Sequence, residues 1–132
     1  MQVTDMQPEH RVLDVDPYAA GCPSRQVLDR IGDRWTVLVV GSLSQGPLRF
    51  SELARRIEGI SQKMLTQTLR GLERDGLVVR TVHPEVPPRV EYELTRVGAT
   101  LIEPLDALDA WAREHLPVIE AARAAYDESR TA

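Results

Sequence analysis

Apolar residues recur at helical spacing along the first half of the chain. Val27, Leu28 and Ile31 share one face of a short helix predicted over 24–31. Gly32 stops that helix, and Asp33 is a good N-cap for the next. Over 34–43, Trp35, Val37, Leu38, Val39, Val40 and Leu43 make the second helix apolar on several sides, so it is expected to be the central, most buried one. Gln45-Gly46-Pro47 ends it. Leu48, Arg49 and Phe50 allow a minimal strand. Ser51 then caps a third helix to about Ile57, with Leu53, Ala54 and Ile57 inward. Glu58-Gly59-Ile60 is a tight turn, Ser61 caps a fourth helix over 61–75, and Gly76 terminates it. Two short helices joined by a Gly-containing turn are a helix-turn-helix candidate.

The pattern then becomes β-like over 77–83 and 90–95. The loop between these runs carries Pro84, Pro87, Pro88 and Arg89, which predicts a β-hairpin with a stiffened tip. From Val97 the pattern is helical again, with Leu101, Leu105, Leu108 and Ala112 on one stripe. Pro104 is expected to kink or break this helix, and Pro117 to start a last, Ala-rich one to about Ser129. Residues 1–20 have Pro8, Pro17 and scattered acids but no periodic apolar face, and read as a flexible arm whose Val12, Leu13 and Val15 can dock on a partner. The element order is that of an α+β, mostly α, winged helix-turn-helix. The expected organisation is an arm at 1–20, a winged helix-turn-helix domain at 21–96 and a C-terminal helical region at 97–132.

A length of 132 residues suits one domain with an added oligomerisation element. No apolar run approaches the roughly 18 residues of a membrane span. The acidic, polar N-terminus shows no secretory signal, so the expected location is cytoplasmic. A single cysteine excludes a disulfide framework or a Cys-based zinc site within one chain, and no metal or cofactor is expected. The net charge of −4 argues at first against nucleic acid, but its distribution reverses that. Residues 1–48 hold 4 basic and 6 acidic side chains, residues 49–96 hold 9 and 7, and residues 97–132 hold 3 and 7. The middle segment has the one basic excess, and a local basic face suffices for DNA.

On a helical wheel of the fourth helix, Lys63, Thr66, Gln67, Arg70 and Arg74 fall on one side. Leu65, Leu69 and Leu72 fall on the other. The polar side contains no acid, and its residue types are those that reach base edges in a major groove. The alternative is an ordinary solvated face. Ser61 and Gln62 open the helix, where backbone N–H groups and the Ser61 hydroxyl can hold a phosphate; Ser61 can equally be a plain N-cap. At the hairpin, Arg89 and His83 can meet the minor groove or phosphate, or can be exposed turn residues. Some of Arg49, Arg55 and Arg56 should touch phosphates.

Three pieces of the chain carry a family resemblance: Asp33-Arg34-Trp35-Thr36, Gly59-Ile60-Ser61-Gln62-Lys63-Met64-Leu65-Thr66, and Pro84-Glu85-Val86-Pro87-Pro88-Arg89-Val90-Glu91-Tyr92. Together with the intervening sequence, over about 22–115, they resemble the HxlR family of bacterial transcriptional regulators, related to the multiple-antibiotic-resistance regulators. The resemblance implies a homodimer that reads the major groove with the fourth helix and flanking DNA with the wing. It implies DNA roles for Ser61, Gln62, Lys63, Thr66, Gln67, Arg70 and Arg89. It places Leu101, Leu105, Leu108 and Trp111 at or near a dimer interface, although the stripe can also pack on its own domain. Trp35 is expected in the core.

Some members of that family sense oxidants through a Cys at the Cys-Pro position, matched here by Cys22. A helix N-terminus and nearby Arg25 favour a thiolate there, on a segment expected to be partly exposed. The departure is the missing second Cys, so a disulfide would join Cys22 across the dimer or to a small thiol. The alternative is a thiol tucked at the interface. A small-molecule signal is equally open. No nucleophile elbow, phosphate loop or metal-spaced His/Cys set suggests an enzyme. The reading is therefore a DNA-binding regulator whose partners are double-stranded DNA and a second copy of itself, and no membrane. The rival reading is a winged-helix protein–protein module.

Overall fold

The computed structural model describes residues 18–19 and 21–131. The arm expected at 1–20 lies outside them apart from Tyr18 and Ala19. Helix α1 spans Pro23–Ile31, one residue longer than expected, because proline suits the first helical position, where an N–H has no helical partner. Helix α2 is Arg34–Leu43, preceded by Asp33 in N-cap geometry but without a side-chain cap bond. The chain continues through β1 (Leu48–Arg49), α3 (Phe50–Arg56), α4 (Gln62–Arg74), β2 (Val78–His83) and β3 (Arg89–Leu94). It ends in a short α5 (Arg96–Ala99) and a long α6 (Ile102–Thr131). The strands form one antiparallel sheet in the order β1-β3-β2, with Leu48 opposite Tyr92 and the hairpin paired from Val78↔Leu94 to His83↔Arg89. The α+β, mostly helical winged helix-turn-helix is the expected one.

Several local expectations are corrected. Helix α3 is capped by Arg49 rather than Ser51: the Glu52 carboxylate accepts the Arg49 N–H at 2.7 Å, which moves the start upstream. Ala54 is exposed, because so short a helix buries one stripe, Leu53 and Ile57, and Ala54 lies off it. The C-terminal region divides elsewhere than at its prolines. The break falls at 100–101, between α5 and α6. Pro104 sits in the first turn of α6, where its missing N–H leaves no bond broken. Pro117 lies inside α6 and does not begin a new helix; it costs one helical hydrogen bond, and the helix runs on.

The core gathers Val39 and Leu43 of α2, Leu53 and Ile57, Leu65, Leu69 and Leu72 of α4, and Leu77 and Val78 at the root of the wing. Trp35, Phe50, Tyr92, Leu94 and Leu101 pack around it. The Arg34 guanidinium lies 4.6 Å from the centre of the Trp35 ring, so this tryptophan is core on one side and a cation seat on the other. Across α4, the Arg30 guanidinium rests against Gly71 and pairs with Asp75 at 2.9 Å, tying α1 to the end of α4.

A second joint fixes the root of the wing to α5. Gly76, at φ 76°, turns the chain out of α4 in a conformation side chains rarely adopt. The Thr95 hydroxyl donates to the Gly76 carbonyl at 2.6 Å and accepts the Gly98 N–H at 3.0 Å. The Leu77 carbonyl accepts the Thr95 N–H, and a Cβ at position 98 would collide with that carbonyl. Among the described residues, no helix is long and apolar enough to cross a membrane.

Gly98→Ala should therefore lower unfolding stability by about 1–3 kcal/mol, since backbone rather than a flexible side chain must move. Gly41→Ala, where a Cβ meets nothing within 4 Å, should be neutral or stabilising by about 0.5–1 kcal/mol. Urea unfolding midpoints of the two variants check both signs.

Candidate nucleic-acid interface

Helix α4 is built with two unlike sides. Leu65, Leu69 and Leu72 are almost wholly buried. Lys63, Gln67, Arg70 and Arg74 are exposed, and Thr66 is half-buried. Gln62, Lys63, Thr66, Gln67 and Arg70 line one open surface depression. The face thus assembles as the helical wheel predicts, and it contains no carboxylate. Acids appear at its end, where Asp75 lies 4.0 Å from Arg74 and is held more closely by Arg30. Ser61 caps the helix, its Oγ accepting the Met64 N–H at 3.0 Å. That bond uses an oxygen lone pair and leaves the hydroxyl proton available to an acceptor.

The wing differs from expectation. Arg89 is not on the tip; it is the first residue of β3, and its guanidinium is clasped by two carboxylates. Its Nη2 lies 2.8 Å and its Nε 3.2 Å from Glu85, and its Nη1 lies 2.8 Å from Glu91. His83 Nε2 lies 2.9 Å from the other oxygen of Glu91. The hairpin register, His83 opposite Arg89 with Glu91 two residues on, brings these groups onto one face. Hydrogen bonding from Arg89 holds the Glu85 carboxyl below the ordinary carboxylate range. His83, and then Arg89, do the same to Glu91. Glu85 in turn pushes the Arg89 guanidinium above its usual value. The tip itself includes a cis Val86–Pro87 bond.

A further cation escaped the sequence reading. Arg80, on β2, is exposed and lines a cleft with Thr66, Leu69, Arg70, Glu73 and Tyr92 between α4 and the sheet. Its signal was available: it shares the parity of buried Val78, so a charge stood at an inward-facing strand position. Arg49, Arg55 and Arg56 are exposed, but Arg56 lines a groove with Val37, Leu105 and Asp106 rather than the α4 face.

The expected dimer stripe divides in two. Leu105 is buried and Leu101 packs on the core, so these two anchor α6 to its own domain. Leu108 and Trp111 are more than half exposed, as are Val118 and Tyr126 further along. Trp111 stacks on His115 at 4.6 Å. Cys22 is buried, at 5% exposure, not partly exposed. The chain turns just before it, its N–H donating to the Ala19 carbonyl at 3.2 Å. The Arg25 guanidinium donates instead to the Tyr18 carbonyl at 3.1 Å. Among the described residues, no group of His, Cys, Asp and Glu is arranged to hold a metal ion.

The profile of the HxlR-like helix-turn-helix family matches residues 30–120. The uncharacterised HTH-type transcriptional regulator YtfH of Escherichia coli (strain K12) is 46% identical over 106 residues, 80% of this chain and 84% of that protein. A solved structure of the transcriptional regulator ytfH from Salmonella typhimurium superposes with a TM-score of 0.75 at 44% identity, covering 82% of this chain and 96% of that one. The redox regulator HypR in its reduced form gives a TM-score of 0.69 at 39% identity, covering 75% of this chain and 98% of that one.

The wing cluster has a defined pH sense. Carboxyls whose folded pKa values are depressed stabilise the fold above the unfolded carboxylate value, about 4.3, and lose that contribution as pH falls through the lower folded values. Carboxyl-carbon NMR titration should find both Glu85 and Glu91 ionising below the ordinary carboxylate range. Glu91→Gln should bring Glu85 closer to the ordinary value only to the extent that Arg89 moves away from it.

Proposed function

The chain belongs to the HxlR-like helix-turn-helix family of transcriptional regulators, and from that premise we propose that it is a sequence-specific homodimer acting on a near-palindromic operator. The observation that carries this reading is the acid-free exposed face of α4, set opposite its buried leucines. In this reading residues 21–96 are the DNA-binding domain and 97–132 the dimerisation region. Lys63, Thr66, Gln67, Arg70 and Arg74 enter the major groove. Ser61 and Gln62 approach a phosphate at the helix start. The wing lies along flanking DNA.

Dimerisation uses the exposed part of α6, Leu108 and Trp111 first, because Leu101 and Leu105 are already engaged within the protomer. A two-fold axis then sets the two copies of α4 at half-sites about 34–36 Å apart, one turn of DNA. A signal acts by changing that separation, since a few kcal/mol between dimer geometries suffices to switch occupancy. Similarity to a protein named a redox regulator makes an oxidant one such signal, and Cys22 is the one thiol in the chain that it can reach. A small molecule at the dimer would act in the same way. Burial of Cys22 means that oxidation must first open the fold locally around its thiol.

Selection of binding sites from random duplex DNA tests the central reading: a palindromic consensus is expected, and no enrichment before or after mild oxidation would favour a protein-binding winged helix. Arg70→Ala should cost about 1–3 kcal/mol on the selected site and relax one base preference. Leu108→Asp with Trp111→Asp should give monomers in sedimentation and lose tight operator binding; a variant that remains dimeric would overturn the interface assignment. Cys22→Ser should abolish any change in operator affinity that diamide treatment produces in the wild type.

A further inference from the structure

The resemblance assigns the wing's contact with DNA to Arg89. Its guanidinium, however, is satisfied on both sides by Glu85 and Glu91, and His83 shares Glu91. Four side chains with two carboxylates among them offer little net positive charge to a polyanion. A phosphate competing for Arg89 would have to displace two charge-assisted hydrogen bonds that are already short.

Arg80 is placed differently. It stands two residues beyond buried Val78 on β2, where the sheet leaves the core, and it is paired across the ladder with Tyr92. It faces α4: the cleft it lines includes Thr66 and Arg70 from the reading side of that helix. Among the described residues, neither Arg70 nor Arg80 has an ion pair or side-chain hydrogen bond. Glu73 lines the same cleft and offsets one of the two cations, leaving an excess of one positive charge. A duplex that takes α4 into its major groove must carry a strand past this mouth to reach the wing. A guanidinium fork suits the paired oxygens of a phosphodiester.

We infer that Arg80, across the cleft from the groove-entering Arg70, is the wing sheet's contact to the DNA phosphate backbone, and that Arg89 is a positioning residue that holds the wing tip. This rests on the reading of α4 as the helix that enters the groove. It assigns a DNA role to a residue outside both motifs that first suggested one.

The test is the salt dependence of binding, read by fluorescence anisotropy on the selected operator and on an unrelated duplex of equal length. Each lost phosphate contact lowers the slope of log K against log salt by about 0.9, so Arg80→Ala should lower it by roughly 1.8 in a dimer on two half-sites. Affinity should fall by a similar factor on both duplexes, and Arg80→Lys should restore most of the slope. The charge-neutral pair Glu85→Gln with Arg89→Gln should leave the slope at the wild-type value while amide exchange over 83–91 quickens. An unchanged slope in Arg80→Ala would overturn the assignment. So would a loss confined to the operator, which marks a base contact, or a slope that drops in the Glu85–Arg89 pair instead. If the wild type binds neither duplex at low salt, it is the underlying DNA-binding reading that fails.

Discussion

The burial of three leucines on one side of α4 decides where the chemistry of this protein points. Leu65, Leu69 and Leu72 meet Val39 and Leu43 of α2, Leu53 and Ile57, in the one cluster that links the helices to the sheet. Burying each fully contributes about 1.5–3 kcal/mol. Rotating α4 by one residue in one sense would put Thr66, Arg70 and Glu73 at the same places, charges the core has no partners to accept, and in the other sense Met64, Thr68 and Gly71, which would leave it underfilled. The helix is therefore locked about its own axis. Its polar face is presented to solvent in the free protein, so a ligand has to order these side chains but not the backbone that carries them.

Charge is organised by the same frame into two kinds of surface. On α4 the cations are held apart from carboxylates until the last turn. On the wing, cations and carboxylates are interleaved in a hydrogen-bonded cluster that stiffens the hairpin but offers little field beyond it. A chain with a net charge of −4 can thus keep one attractive face while the acidic helix α6 discourages indiscriminate contact with nucleic acid.

Helix α6 couples the two ends of the protomer. Its start is fixed through Leu101, just before it, and Leu105 in its first turns, the latter beside Val37 and Gly41 of α2, and α2 packs directly on α4. A helix of 30 residues is about 45 Å long, so a small change of angle at a distal contact becomes a displacement of several ångströms at the anchored end.

How much of this was legible in the sequence depends on the range of each interaction. Helices α1, α2 and α4, the turn before α4, the Ser61 cap, the hairpin and the polar face of α4 rest on periodicity and on contacts within a few residues, and all could be read from the chain. The exceptions were local as well: Glu52 accepting the Arg49 N–H displaced Ser51 as the cap, and a continuous helix absorbed Pro117. What needed tertiary structure was the partnering of exposed-looking side chains. A carboxylate four residues before Arg89 and another two after it are plain in the sequence, but only the hairpin register turns all three inward on one another. Likewise only the packing of α4 on the sheet brings Arg80 to Arg70, and only the docking of α6 divides its apolar stripe into Leu101 and Leu105 for the core and Leu108 and Trp111 for solvent. Sequence alone determined which segments fold and which faces are apolar, because those depend on neighbours along the chain. Which charges are spent within the molecule and which are left for a partner was decided by the fold, because opposite charges must first be brought within hydrogen-bonding reach.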